Sequence, residues 1–328
     1  MTVLVTTFLL SALLCGGYLR FARVRRFLDA PNERSSHSHP TPHGGGAAVL
    51  LAFIAGLLLA AQCYNSWDES FVVLAVAALL LMIVGVIDDL RGLSVRVRMA
   101  LYSLVCLWVA DTLLQSIFVD SGASRAVLGL LVALVMLWSL NLYNFMDGID
   151  GIAALQTVLA SCFGAWLSLK SGHSDSYAML CLLLAAAHAG FLIWNCPPAR
   201  LFMGDAGSVP TGFLLAAIAL LGAVQGYLNP LCWAILLAVF ITDATWTLVW
   251  RLSTGQAFMQ PHRLHAYQRL SRYWDSHLSV DMLLLSINVM WLFPLAWAVQ
   301  AWPSCNVIFV ILAYFPLLCG MAKVGRLA

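Results

Sequence analysis

The segment AVLGLLVALVMLWSLNLYNFMDGIDG, Ala126–Gly151, decides how this chain is read. An apolar run from Ala126 to Leu140 ends in an amide and two carboxylates, Asn144, Asp147 and Asp150, at the mouth of a membrane span. Carboxylates at a bilayer boundary are costly and seldom lie there without a function. Gly148 and Gly151 keep the backbone thin, so that a ligand can come close, or they simply turn the chain. Standing alone, the stretch reads equally as a helix cap with a solvated turn. Further acidic and His/Arg clusters return to the same side of the membrane, and they tip the balance.

Of the 328 residues, 62% are hydrophobic and 10% charged, with a mean hydropathy of +0.89. Soluble domains carry roughly 25% charged residues. The chain is therefore an all-α, polytopic integral membrane protein, and apolar runs leave room for one domain only, residues 1–328. Spans of roughly 17–25 apolar residues are expected near 3–19, 47–63, 71–87, 99–118, 126–142, 152–170, 177–194, 210–225, 228–250, 282–300 and 304–321. The first follows no basic residues and precedes Arg20, Arg23, Arg25 and Arg26, so it reads as a retained anchor and not a cleaved signal.

The loops fix an orientation. Of the 17 Lys and Arg, only Arg125 and Lys170 fall on the side opposite the rest, and none falls inside a span. The bias predicts an outer N-terminus, a cytoplasmic C-terminus and an odd number of spans. The inner loops, near 20–46, 88–98, 143–151, 195–209 and 251–281, hold the chemistry. Outer acids such as Asp68, Glu69, Asp120 and Asp175 read as turn residues, and Asp111 as a cap near the outer end of its span. The nine cysteines form no CxxC pair and read as small buried hydrophobes. A Cys63–Cys305 bridge on the outer face is conceivable, though nothing requires it.

If the inner loops converge, Asp88, Asp89, Asp147, Asp150 and Asp205 gather up to five negative charges, and Asp243, about two turns inside its span, adds a sixth. Like charges at close range raise one another's pKa, so such a cluster needs protons or cations. Oxygen-only ligands favour a hard divalent ion; Mg²⁺ takes one or two carboxylates and leaves its other positions to water and phosphate. Asp205 lies in FMGDAGS, where the glycines permit a tight loop and Pro210 suits the first turn of the next helix. His262, Arg263 and His265 form a basic element whose histidines face one way if the segment is helical. No third ligand completes a zinc site there, and phosphate suits the Arg263 fork better. A cap at Asp88–Asp89, a loop-and-cap at Asp205 and a solvated basic loop are the plain alternatives. Together, acids, glycine turns and a His/Arg element at the cytosolic face point to a soluble diphosphate compound, a metal, and a lipid reaching the site sideways.

The motifs DDLRGLS, NLYNFMDGIDG, WNCPPARLFMGDAGS and HRLHAYQRL, in this order and on one side, resemble the polyprenyl-phosphate N-acetylhexosamine-1-phosphate transferases, glycosyltransferase family 4. The likeness runs from Pro31 to about Leu270. The family includes initiators of O-antigen and enterobacterial common antigen synthesis and the phospho-N-acetylmuramoyl-pentapeptide transferases. It implies transfer of a sugar-1-phosphate from a UDP-N-acetylhexosamine to undecaprenyl or another polyprenyl phosphate with release of UMP, in the bacterial inner membrane. It implies Mg²⁺, with Mn²⁺ as a substitute, held by Asp205 and Asp147. Asp88 and Asp89 would handle the lipid phosphate or help hold the metal. Asn144, Asp147 and Asp150 would shape the nucleotide and metal site, Asp243 matches an acid of the family's ninth span, and His262, Arg263 and His265 would hold the diphosphate or sugar. A homodimer is allowed; a nucleic-acid partner is not expected. The His-Arg-Leu-His-Ala-Tyr loop departs from the three adjacent histidines of the peptidoglycan branch. It looks closer to lipopolysaccharide-type enzymes that use N-acetylglucosamine or deoxy-amino sugars such as N-acetylfucosamine or N-acetylquinovosamine. A secondary transporter, an intramembrane aspartyl protease and a CDP-alcohol phosphotransferase are the competing readings. The first places its site near the bilayer midplane, the second needs two acids in adjacent spans, and the third needs further aspartates after DGIDG.

Overall fold

The computed structural model describes residues 1–25, 28–29, 40–63, 68–115, 117, 122–172, 175–256 and 262–325. Most of the first inner loop, including Pro31 and the stretch to His39, lies outside the described residues, as do Arg26, Asp120, Gln260, Pro261 and Arg326. Helices dominate: α1 (Thr2–Arg25), α2 (Gly46–Cys63), α3 (Glu69–Arg91), α4 (Val95–Leu114), α5 (Ala123–Met146), α6 (Ile152–Lys170), α7 (Asp175–Asn195) and α8 (Asp205–Val224). They continue with α9 (Pro230–Leu236), α10 (Ala238–Ser253), α11 (Ala266–Trp274), α12 (His277–Ile287), α13 (Phe293–Ala301) and α14 (Asn306–Val324). A single turn of π-helix, Asn288–Leu292, joins α12 to α13. Among the described residues the only departure from all-α is a short antiparallel ribbon, Leu28–Asp29 (β1) against Thr41–Pro42 (β2).

Among the described residues, ten helices are long and apolar enough to cross a membrane, or eleven when α9 and α10 count as one bent span. The expected span 228–250 is thus broken: its halves meet at 72° beside Leu237. No Gly or Pro marks that break. It is held from outside, because Gln156 of α6 donates from Nε2 to the Leu236 carbonyl at 2.8 Å and exchanges amide hydrogen bonds with Asn288 of the π turn. Inside a bilayer an opened helix needs such substitutes for its lost backbone bonds. Three other spans begin earlier than hydropathy suggested, at Val95, Asp205 and His277, since their first turns are polar. Asp205 is consequently the first residue of α8 and not a loop residue, and Pro210 sits inside the helix.

The centre of the bundle is α8, packed by α3, α5, α2 and α4. Its closeness to α3 depends on Gly85, where a Cβ would lie 2.6 Å from the Ala206 nitrogen and the Asp205 carbonyl oxygen. The strand-like run before α2 is laced to the loop before α8: Phe202 N–H donates to Pro42 O, Gly45 N–H to Phe202 O and Gly46 N–H to Met203 O, at 2.8–2.9 Å. Leu58, Val72, Leu104, Leu131 and Ile311 are exposed around the perimeter, as lipid contact requires. All nine cysteines are free thiols, so Cys63 and Cys305 form no bridge. Asp111 pairs with Arg125 at 2.5 Å at the end of the bundle away from the arginine-rich loops.

Candidate active site

The site is built on the first turn of α8. A helix start leaves backbone N–H groups without partners and carries partial positive charge. Asp89, in the last turn of α3, supplies the missing acceptors: Oδ1 takes the Asp205 N–H at 3.2 Å and Oδ2 the Ala206 N–H at 3.3 Å. Its neighbour Asp88 turns the other way. Oδ1 accepts from Leu93 N–H at 2.6 Å, and Oδ2 pairs with Arg98 Nη1 at 2.5 Å. Arg98 is in the first turn of α4, a helix capped by Ser94. The same Nη1 reaches Asp205 Oδ2 at 3.2 Å, so one guanidinium ties together two acids, Asp88 and Asp205, from distant parts of the sequence.

The third inner loop supplies the next wall. Asn144 lies in the last turn of α5, and its carbonyl accepts from the Asp147 N–H at 3.2 Å. Among the described residues nothing donates a hydrogen bond to the Asp147 carboxylate. Burial, and then the charges of Asp205, Asp89 and Asp150, push its pKa well above the ordinary carboxylate range. Asp147 thus lies within electrostatic reach of Asp89 and Asp205. Asp150 looks elsewhere. Its Oδ2 accepts from Ala199 N–H at 3.0 Å and lies 3.2 Å from His277 Nδ1, while the following Gly151 N–H donates to Asn195 Oδ1 at 3.1 Å. The second half of DGIDG therefore fastens the third loop to the fourth loop and to α12. Asp150 also rims a cavity of about 490 Å³ with Pro197, Arg263, Arg272, Ser276 and His277.

The fifth loop packs over this arrangement. Asp243, buried in α10, receives His265 Nδ1 at 3.1 Å and the Ala266 and Tyr267 N–H groups at 3.0 Å each, capping α11. Thr247 Oγ1 adds a fourth contact at 3.2 Å. The span 262–264 is not helical, so the expected helical alignment of His262 and His265 does not occur. The rings still come together, with centroids 5.0 Å apart, because His265 is anchored on Asp243 and His262 folds back over it. Burial first, then the charges of His265 and Arg251, lower the His262 pKa to about 4. Its Nδ1 accepts from Leu264 N–H at 3.3 Å, which places the proton of the neutral ring on Nε2. Tyr267 donates to the Phe145 carbonyl at 2.9 Å, and Gly148 leaves the room this needs: a Cβ there would sit 2.0 Å from Tyr267 Oη.

Residues 71–223 of this chain match the model of glycosyl transferase family 4. A decaprenyl-phosphate N-acetylglucosaminephosphotransferase of Mycobacterium tuberculosis is 31% identical over 293 residues, covering 77% of this chain and 71% of that protein. The chain belongs to glycosyl transferase family 4. A probable undecaprenyl-phosphate N-acetylglucosaminyl 1-phosphate transferase of Bacillus subtilis is 28% identical over 307 residues, covering 89% of this chain and 83% of that protein. A phospho-N-acetylmuramoyl-pentapeptide-transferase of Rubrobacter xylanophilus is 27% identical over 292 residues, covering 80% and 86%. Membership sets aside the transporter, protease and CDP-alcohol readings.

In this glycosyl transferase the donor set around Asp147 and Asp205 suits a hard cation. No three His, Cys, Asp or Glu among the described residues stand close enough to hold a metal by themselves. One or two carboxylates with the remaining positions open is the arrangement Mg²⁺ favours. A carboxylate without a donor, its pKa raised by burial and then by three neighbouring carboxylates, is also a group that a divalent ion would neutralise. Three participants escaped the sequence reading as individuals. Arg98 was one arginine of a basic loop; its Ser94 cap, which starts the helix early and turns it toward the acids, was the available signal. His277 and Asp281 lay at the end of what read as the fifth inner loop, and only the fold brings them to Asp150.

Proposed function

We propose that this multi-pass membrane enzyme transfers an N-acetylhexosamine-1-phosphate from a UDP-sugar to undecaprenyl phosphate, with release of UMP. The observation that carries the reading is the joining of Asp88, Asp89 and Asp205 across two helices, with Asp147 beside them, at the arginine-rich end of the bundle. The relatives' names supply the substrates: they act on undecaprenyl or decaprenyl phosphate and transfer N-acetylglucosamine phosphate. By the charge bias this end faces the cytoplasm, and the membrane is the bacterial inner membrane.

An oxygen of the lipid phosphate attacks the sugar-linked phosphorus of the donor, a new phosphoanhydride forms, the old one breaks, and UMP takes the leaving electron pair. One phosphoanhydride replaces another, so the step is close to energy-neutral and depends on placement and charge neutralisation. Asp205 and Asp147 would hold Mg²⁺, which supplies Lewis-acid stabilisation of the phosphoryl oxygens. Arg98 keeps the Asp88 and Asp205 carboxylates apart from one another's charge and presents its remaining donors to phosphate. A lipid phosphate is ionised near neutral pH, so Asp88 and Asp89 serve placement and not proton removal. His262, through Nε2–H, and Arg263 bind the donor's diphosphate or sugar, and His265 is held for the same purpose by Asp243. The loop sequence supports a lipopolysaccharide or O-antigen precursor made with N-acetylglucosamine or a deoxy-amino sugar.

The test is a panel of UDP-amino sugars incubated with purified enzyme, polyprenyl phosphate and Mg²⁺, reading UMP. Release that needs both substrates and disappears with EDTA supports the proposal. No UMP from any donor, or equal release without the lipid phosphate, overturns it.

A further inference from the structure

Tyr102 stands apart from the assignments made so far. It lies one turn after Arg98 on α4, on the same face, and is 3% exposed. Its hydroxyl is buried with no hydrogen-bond partner among the described residues. Buried polar groups are nearly always paired, and one that is not asks for an absent partner. The surroundings indicate what kind. Arg98, one turn earlier on the same face, pairs with both Asp88 and Asp205, so Tyr102 lies on the side of α4 that meets the acid cluster. Three of the cluster's carboxylates already have donors: Leu93 and Arg98 for Asp88, the start of α8 for Asp89, Arg98 for Asp205; Asp147, which has none among the described residues, is the acid assigned above to the cation. What is missing beside Tyr102 is an acceptor brought in from outside.

We propose that the Tyr102 hydroxyl donates a hydrogen bond to the phosphate of the lipid acceptor, with Arg98 as the charged partner one turn above. This rests on the function proposed above and adds an acceptor-binding residue to it. Depth decides between the two phosphates in the reaction. At 1.5 Å per residue, Tyr102 lies about 6 Å further along α4 into the membrane than Arg98. A UDP-sugar enters from water, past the fifth loop. A polyprenyl phosphate is tethered by its chain and reaches the cluster from the bilayer side, where the deeper donor waits. A phenol suits this role, because it gives one directed hydrogen bond and adds no charge to a cluster whose balance Arg98 already sets.

Tyr102→Phe in the full-length enzyme removes the hydroxyl and little else. The substrate-free melting temperature should stay level or rise, since no protein partner is lost. The KM for polyprenyl phosphate should rise about tenfold or more, as for a hydrogen bond to a charged group, while the KM for the UDP-sugar stays unchanged. Stabilisation of the protein by a short-chain polyprenyl phosphate alone should shrink, and the corresponding polyprenyl alcohol should stabilise wild type and variant equally. A higher KM for the UDP-sugar with an unchanged acceptor KM would move the contact to the donor diphosphate and overturn the proposal. So would an unchanged acceptor KM and melting shift, or a lower substrate-free melting temperature with both KM values raised together. If wild type released no UMP with any donor, the proposed reaction would fail. The acceptor-induced melting shifts would still decide the role of Tyr102.

Discussion

Asp89 holds Asp205 by its backbone and leaves its carboxylate to others. The Asp89 oxygens accept the first N–H groups of α8, whereas Asp205 Oδ2 faces Arg98. Two aspartates in one cluster therefore do different work, and substitution should separate them. Asp205→Asn keeps the helix start and its cap, so the protein should remain folded in membranes while UMP release falls by about 100-fold or more, the scale of losing a main electrostatic contact. Asp89→Ala uncaps α8 and should lower the melting temperature as well as the rate, at about 1 kcal/mol for the lost cap alone. Near-normal turnover of purified Asp205→Asn would remove Asp205 from the centre of the site.

Much of this cluster was legible before any fold was known, for one reason. A carboxylate at a bilayer boundary is energetically conspicuous, so Asp88, Asp89, Asp147 and Asp205 announce themselves, and the arginine bias groups them on one side. Helix positions were legible from hydropathy to within about two turns. The starts at Val95, Asp205 and His277 were missed because an apolar run cannot register a polar first turn. What stayed hidden depends on residues far apart in sequence. The break at Leu237 carries no Gly or Pro signal because Gln156 on α6 provides for it. The partners of Asp243 and Asp150, His265 and His277, follow from how loops fold over one another, and a charge pattern does not encode that.

Asp243 offers a second separation. Its carboxylate receives two backbone N–H groups and a histidine, which makes it a clamp for α11 and for His265. Asp243→Ala should orphan these donors, cost about 2 kcal/mol or more, and weaken UDP-sugar use by loosening His265. His265→Ala should reproduce the loss of donor use with a smaller loss of stability. In the double variant the effects on donor KM should fall short of additivity, since both act through one contact. Additive effects would show that Asp243 touches the donor independently.

Burial first, then the neighbouring His265 and Arg251, lower the His262 pKa to about 4, so its ring is neutral in the folded enzyme at physiological pH. It should therefore bind through Nε2–H and not through charge. His262→Ala should raise the UDP-sugar KM more than the lipid KM, and in wild type the donor KM should show no rise as pH climbs through 6.5. The stability linkage has a definite sign. An unfolded histidine takes up its proton near 6.5, the folded one only near 4, so the stability tied to this group is complete above 6.5 and lost as pH falls toward 4. The melting temperature of His262→Asn should therefore decline less than that of wild type across this window. A donor KM that rises sharply between about pH 6 and 7.5, and loses that rise in His262→Ala, would show a charged imidazole instead.

Gly148 and Tyr267 are matched in shape. The fifth loop rests on the third through Tyr267 Oη, which donates to Phe145 O at 2.9 Å and occupies the space where any residue but glycine at 148 would place its Cβ, 2.0 Å away. Gly148→Ala should push α11 off the third loop, at about 1–3 kcal/mol for an overpacked contact. The displaced loop carries His262 and Arg263, so donor use should suffer more than acceptor use. Removing the hydroxyl eases the clash without abolishing it, because the next ring atom, Cζ, still stands 3.1 Å from the same Cβ. Gly148→Ala combined with Tyr267→Phe should thus recover part of the melting temperature and of the donor KM, while Tyr267→Phe alone should lose about 1 kcal/mol with its hydrogen bond. If the double variant were no better than Gly148→Ala, the glycine would be needed for its backbone or for a bound ligand, and not for the seating of α11.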